Sequence, residues 1–387
     1  MSADESFPRG RTAVVGAATF GMGEAPGYQA IDLLAQASLR ALADAGLTVA
    51  DVDAVFAMLP QDPFCALTVP EYLGIRPKLV ESTRTGGSAF EIHAMWAALA
   101  LEAGLCDVAL ICYGSNQRSA AGGLVRSGGQ PFPYEEVYKP VNPPSSYALA
   151  ASRHMHQYGT TREQLASVAV AARQWAQLNP DAFMRAPLSL EDCLAARMVS
   201  DPLTVRDCCL VTDGAAAVVM TRADRARDLR RPPAYLLGAA SATWHRYIAQ
   251  APDLTVTAVA ECGPRALAQA GVTPADIDVV QLYDAFTINP ILFLEDLGFC
   301  KKGEGGAFVQ DGRIAPGGAL PVNTNGGGLS CVHPGMYGLF TMVEAVEQIR
   351  ANAGDRQVAG AKLAIAQGNG GVLSSQAVTV WGSAETL

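Results

Sequence analysis

A chain of 387 residues, half of them apolar and only 17% charged, can bury more than one ordinary core, so two domains or two halves sharing an interface are expected. The net charge of −9 excludes non-specific nucleic-acid binding, which needs clustered Lys and Arg, although local basic patches can still hold a nucleotide-like ligand. The polar N-terminus has no apolar signal core, and no run of about eighteen apolar residues offers a membrane span.

In chain order, Thr12–Ala17 predicts a strand, residues 28–46 an amphipathic helix and Val52–Met58 a second strand. Ser88–Ala103 reads as a long apolar helix and Val108–Tyr113 as a buried strand. Such alternation predicts mostly parallel sheets covered by helices. Ser115–Ser146 is rich in Gly and Pro, loses its period and carries Arg118 and Arg126, and residues 147–200 read as largely helical. An insertion of this kind suits a substrate cover. Cys209–Met220 predicts a strand broken by Asp213-Gly214. Beyond the charged stretch Arg222–Arg231 come a strand at Pro233–Ala239, a helix at 253–271 and a strand at Val279–Leu282 that ends in Tyr283-Asp284-Ala285-Phe286. A helix at about 335–350, a strand at Ala361–Ala366, a loop at Gly368-Asn369-Gly370-Gly371 and a strand at Gln376–Trp381 complete the pattern.

The chain contains a diverged copy of itself. Arg40–Val55 returns as Arg265–Val280, with eleven of sixteen positions identical at a constant offset of 225. Each copy reads as a helix stopped by glycine, a helical start at Thr-x-Ala-Asp and a β-branched strand. Two long copies predict two similar α/β halves packed together, 1–231 with an inserted loop region at about 115–205, and 232–387.

Asn323–Gly335 places His333 directly after a glycine-rich turn and before Pro334. Glycines let backbone approach a ligand closely, and a proline can open a helix, so His333 is expected at a helix entrance, where outward N–H groups suit a developing oxyanion. Nine cysteines without framework spacing fit reduced thiols in a cytoplasm, and neither they nor the five histidines have metal-site spacing. His93 on its apolar helix reads as structural. Asp213 reads as a turn residue holding the inserted region, Asp284 as the cap of a turn or helix start, and Asn323 and Asn325 as bonding their own turn.

On these motifs the chain resembles the thiolase superfamily over essentially its whole length, and specifically the sterol-carrier-protein-x and lipid-transfer branch. The resemblance implies a five-layered αβαβα fold from two duplicated halves with an inserted loop domain. The loop that holds the nucleophilic cysteine in thiolases reads Glu81-Ser-Thr-Arg-Thr-Gly-Gly-Ser88 here, with Arg84 at the nucleophile position. The second loop is Tyr283-Asp-Ala-Phe286, the third Val332-His-Pro334, and the fourth, Cys-x-Gly in condensing thiolases, is Gly368-Asn-Gly370. Both catalytic cysteines are therefore missing while His333 remains. An unassisted hydroxyl is neither a strong nucleophile nor a good leaving group, so ping-pong acyl transfer is not expected.

Steroid side-chain aldolases of this branch carry Tyr-Asp-x-Phe at the second loop and lack the nucleophile. The resemblance thus implies retro-aldol cleavage of a β-hydroxyacyl-CoA through a thioester enolate. Tyr283 is assigned proton transfer, as an acid when neutral and as a base only where Arg84 or His333 lowers its pKa, and His333 a hydrogen bond to the enolate oxygen. Asn369, or the backbone N–H of Gly370, is assigned a second contact, and Gly370, Arg84 and Ser88 are expected against the coenzyme A part of the substrate. No bound cofactor or metal is expected. A homodimer is implied, as is a small zinc-ribbon/OB-fold acyl-CoA-associated subunit. The alternatives are an acyltransferase using Cys331, Thr85 or Ser88, and a non-catalytic acyl-CoA-binding partner.

Overall fold

A computed structural model of the chain describes residues 7–121 and 135–387, so Arg126 lies outside the described residues. Its strands are β1 (Thr12–Gly23), β2 (Ala54–Met58), β3 (Leu79–Glu81), β4 (Val108–Ser115), β5 (Met198–Ser200), β6 (Leu203–Thr204), β7 (Asp213–Arg222), β8 (Ala234–Thr243), β9 (Val279–Gln281), β10 (Leu363–Gly370) and β11 (Ser375–Gly382). Nine of them form one sheet in the order β3-β2-β4-β7-β1-β8-β11-β10-β9, while β5 and β6 pair separately. Followed inward, β2-β4-β7-β1 and β9-β10-β11-β8 have the same pattern, one parallel pair and then two antiparallel pairs. β1 and β8 join the two sets through Ala13↔Tyr235 and Val14↔Ala234.

The repeated sequence builds the same local parts twice. Thr48 with Asp51, and Thr273 with Asp276, each close a capping box on a short 3-10 turn. The preceding helices, Ala30–Ala45 and Val259–Ala270, end on Gly46 and Gly271 in left-handed backbone, φ 76° and 70°. Asp53 accepts the backbone N–H of Val108 at 2.9 Å, and Asp278 that of Leu363 at 2.9 Å, each locking its strand to the neighbour. A side chain at Gly16 would collide with the Ala41 carbonyl, and one at Gly238 with that of Ala266, so each helix lies directly on its strand.

Helices Ala89–Glu102 and Gly338–Ile349 touch each other and strands of both sets, so they form the middle layer. Ala30–Ala45 packs on β1, β4 and β7, and Val259–Ala270 on β8 and β11, which makes the outer layers. The layered duplicated fold is as expected. The mostly parallel pairing is not: β4–β7, β7–β1, β1–β8, β8–β11 and β10–β11 are all antiparallel. A short turn joins β10 to β11, which forces them antiparallel, and β7 returns from the insertion between β4 and β1. The insertion is largely helical as expected, with helices Pro144–Tyr158, Arg162–Gln177 and Leu190–Leu194. Gly368–Gly370 are strand residues and not a loop, because each pairs with β11.

Candidate active site

His333 does not sit at a helix entrance. Gly327–Cys331 wind into a π-helical turn, Val332 is extended, and the next helix begins only at Gly338, because Gly335 takes φ 92° and breaks the path. The imidazole is held by its own backbone, whose N–H donates to Thr212 Oγ1 at 3.0 Å and whose carbonyl accepts from Gln117 Nε2 at 3.1 Å. Its Nε2 lies 3.1 Å from the Tyr283 hydroxyl, with the rings edge to face. Nδ1 is buried and has no hydrogen-bond partner among the described residues. Both side chains are 4% exposed.

Asp284 explains why the two loops stay in register. Its carboxylate accepts the N–H of Gly328 at 2.6 Å and of Leu329 at 3.3 Å, so the Tyr283 segment caps the turn that carries His333. Asn325 Oδ1 accepts Gly327 N–H within its own turn, but Asn323 Oδ1 reaches across to Leu282 N–H at 2.6 Å. Burial sets the electrostatics. It holds the His333 pKa down at about 4, so the imidazole is neutral, and it pushes Tyr283 well above an ordinary phenol. The lowering that would make Tyr283 a base is thus absent, and the shift runs the other way. His333 carries no charge, and the exposed Arg84 donates to the carbonyls of Pro60 and Asp62 at 3.0 and 3.2 Å.

The first loop and the end of β10 close on the same place. A side chain at Gly87 would run into the Tyr283 ring, and one at Gly370 into the Thr85 carbonyl. Gly86 comes so close to Gly370 that an added Cβ would stand 2.9 Å from its Cα. Asn369 of β10 is buried against the insertion, with Nδ2 donating to the Tyr147 hydroxyl at 2.9 Å. Ser88 is buried in a hydroxyl cluster, 3.1 Å from Thr85 Oγ1 and 3.0 Å from Ser375 Oγ. Tyr283, His333 and Ser88 thus lie on converging loops that meet Asn369 and Gly370 at the end of β10, while the guanidinium of Arg84 turns onto the 60–62 turn.

The candidate nucleophiles fare poorly. Cys331 is fully buried, points at Asn179 Nδ2 (3.5 Å), and burial raises its pKa. Thr85 and Ser88 bond to hydroxyls, not to a base. Among the thiols, Cys209 lies beside the Tyr283 tetrapeptide, its N–H donating to the Ala285 carbonyl at 2.8 Å; burial pushes its pKa well up, so it is a neutral thiol. His93 is structural as expected, accepting the Thr83 N–H at 3.1 Å. Asp213 holds the chain as expected, accepting from Ala25 and Arg118 N–H at 2.8 and 2.9 Å. Arg118 itself pairs with Glu24 at 2.5 Å.

Sequence reasoning missed Tyr147, Glu91 and three arginines. Glu91 is 1% exposed beneath the loops, and nothing in its apolar helix marks it as functional. Arg173, Arg197 and Arg206 line a cavity of about 420 Å3 in the insertion, with Asp192 the carboxylate on its wall. No ion pair within 4 Å engages the three among the described residues, and Arg173 also donates to Ser330 Oγ at 2.9 Å. A second cavity of about 290 Å3 is lined by Asp44, Asp181, Glu344 and Glu347 and does not include Tyr283 or His333. The described residues contain no cluster of three His, Cys, Asp or Glu suited to a metal, and no helix long and apolar enough to cross a membrane.

Residues 240–383 match the family model described as thiolase C-terminal domain-like. The acetyl-CoA acetyltransferase of Methanothermobacter thermautotrophicus is 35% identical, covering 95% of this chain and 98% of that protein. The 17-hydroxy-3-oxo-4-pregnene-20-carboxyl-CoA lyase of Mycobacterium tuberculosis is 34% identical, covering 89% and 92%. Among solved structures, the Ltp2-ChsH2(DUF35) aldolase superposes with a TM-score of 0.88 at 32% identity, covering 97% of this chain and 98% of that one. The chain belongs to the thiolase superfamily, in the branch that includes the steroid side-chain aldolases and sterol carrier protein 2.

Proposed function

We propose that the protein is an acyl-CoA carbon–carbon lyase that cleaves a β-hydroxyacyl-CoA by a retro-aldol step, acting on a bulky, steroid-type side chain. The 3.1 Å approach of the Tyr283 hydroxyl to His333 Nε2, in a site without a reactive thiolate, carries the reading. The substrate's β-hydroxyl proton moves to Tyr283 Oη while the Tyr283 proton moves to His333 Nε2. The Cα–Cβ bond breaks, the β-carbon becomes a carbonyl, and its electron pair passes into a thioester enolate. Cα then takes a proton back, giving a shorter acyl-CoA. Relaying the proton avoids a free phenolate, which burial makes costly, and the imidazolium that burial also disfavours is transient, because its proton returns through Tyr283 to Cα. Asn369 and the backbone at Gly370 hold the enolate oxygen, a contact worth about 2.7–4 kcal/mol for one well-placed donor.

Arg173, Arg197 and Arg206 supply the positive charge that coenzyme A phosphates require, and the adjoining Met184, Pro187 and Val205 offer apolar wall for the nucleotide. Nine free thiols support a reducing, cytoplasmic compartment. β3 is an open sheet edge and its Val80 is 37% exposed, which supports a homodimer through the first half. The assembly with ChsH2(DUF35) in the superposed aldolase supports a small partner subunit of that kind.

The name of the methanogen relative favours acyl transfer as the second reading, with Cys209 as the thiol to test. Incubation with a β-hydroxyacyl-CoA, with and without such a subunit, should release a carbonyl product and a shorter acyl-CoA. Tyr283→Phe should reduce that rate at least a hundredfold, as expected for loss of a positioned general acid–base. A full rate in Tyr283→Phe contradicts the assignment.

A further inference from the structure

Tyr147 stands on helix Pro144–Tyr158 of the insertion, outside the four loops, yet its side chain is 2% exposed and lies among them. Its ring stacks on Phe286 at 4.3 Å, the last residue of the Tyr283 tetrapeptide. Its hydroxyl accepts from Asn369 Nδ2 at 2.9 Å and donates to the Gly371 carbonyl at 3.2 Å. Burial raises its pKa to about 12, so the hydroxyl stays protonated and can do both.

The bond to Asn369 is the last of a directed series. Tyr283 N–H donates to Gln367 Oε1 at 3.0 Å, Gln367 Nε2 to Gln376 Oε1 at 2.7 Å, and Gln376 Nε2 to Asn369 Oδ1 at 2.7 Å. The two ends fix every amide. A backbone N–H can only donate, so Gln367 must present oxygen to Tyr283, and its nitrogen also donates to the Gly368 carbonyl at 2.9 Å. The order then propagates, leaving the Asn369 nitrogen toward Tyr147, whose proton goes to the Gly371 carbonyl. One Asn369 N–H is thereby committed to Tyr147, and the other has no partner among the described residues.

We propose that Tyr147 is a positioning residue of the cleavage reaction: it completes the amide series from Tyr283 and aims the uncommitted N–H of Asn369 at the thioester oxygen as it becomes an enolate. This rests on the lyase reading and on the role of Asn369 in it. Without the hydroxyl, the Asn369 amide can rotate or flip, and its donor is no longer fixed when charge develops. The insertion therefore contributes to the chemistry and does more than cover it.

The test uses the full chain with its partner subunit, if one is required, and Tyr147→Phe, which keeps the ring on Phe286 and should melt within a few degrees of the wild type. Tyr147→Phe should lower kcat about 10- to 100-fold with little change in KM, since the donor acts on charge that appears only in the transition state. Asn369→Ala should lower kcat at least as much, and adding Tyr147→Phe to it should cost nothing further, because residues acting as a unit are not additive. A nitronate analogue of the acyl-CoA enolate reads the same interaction without turnover: both variants should bind it about tenfold more weakly while binding the neutral thioether analogue as wild type does. A slow Asn369→Ala beside a full-rate Tyr147→Phe, or losses that multiply in the double variant, overturns the role of Tyr147 alone. Wild-type rates and analogue binding in Asn369→Ala overturn both this role and the enolate contact assigned to Asn369.

Discussion

Glu91 offers a quantitative check on how the site is built. Its carboxyl is buried on helix Ala89–Glu102, where an added side chain at Gly368 would collide with it and one at Gly338 would crowd it. Oε1 is 3.0 Å from Thr341 Oγ1, which is itself 2.6 Å from the Gly338 carbonyl, and Oε2 has no partner among the described residues. Thr341 has one proton and two acceptors in reach, an arrangement that closes if Glu91 is protonated and donates to Thr341. Burial raises the Glu91 pKa from 4.5 to about 8, against the weaker opposing effect of its hydrogen bonds. The folded state thus holds the proton more tightly than the unfolded state. The contribution is complete below 4.5, is lost as pH rises toward about 8, and is flat beyond. At about 1.36 kcal/mol per unit, the full loss is about 5 kcal/mol. Glu91→Gln is neutral throughout and keeps a donor for Thr341. Urea unfolding of both proteins at about pH 5, 7 and 9 should show similar stability at the lowest pH and the variant ahead by several kcal/mol at the highest. Parallel stability curves, or a variant weaker at every pH, would refute a neutral Glu91.

Two further perturbations test the site. Gly87→Ala drives a methyl into the Tyr283 ring, and should lower cleavage at least tenfold while destabilising the fold by about 1–3 kcal/mol; thermal melts with steady-state rates check both. Arg206→Ala should raise KM for acyl-CoA about tenfold or more with kcat unchanged, because a charged hydrogen bond to a phosphate contributes about 1.5–3 kcal/mol. An unchanged KM would remove the arginine-lined cavity as the phosphate subsite.

Much of the fold was legible because duplication leaves paired signals. Asp53 and Asp278, and the capping pairs at Thr48 and Thr273, are visible as sequence and do the same work in both halves. Strand direction was not legible, since alternating strands and helices do not reveal that β7 returns from the insertion into the middle of its set. In the site, His333 and Tyr283 were legible from their loops, but with Nε2 on the Tyr283 hydroxyl the proposed reaction gives His333 the Tyr283 proton and not the enolate contact expected of it. The sign of the Tyr283 pKa shift was not, because burial depends on packing that no local motif encodes. Tyr147 escaped for a related reason. It lies more than a hundred residues from Asn369, in a stretch that reads only as largely helical, and the amide series joining it to Tyr283 exists only once β10 and β11 pair. Glu91 escaped as well, because nothing in its helix marks it and only burial makes it interpretable.

The central claim, an enolate formed without an acyl-enzyme, is tested most directly by turning over a β-hydroxyacyl-CoA in deuterated water while following the intact protein mass. Protonation of the enolate from solvent-exchanged groups predicts one deuterium at Cα of the shorter acyl-CoA and an unmodified protein throughout. An acyl adduct on the protein, on Cys209 or on any other residue, formed and consumed at the rate of turnover, would contradict it.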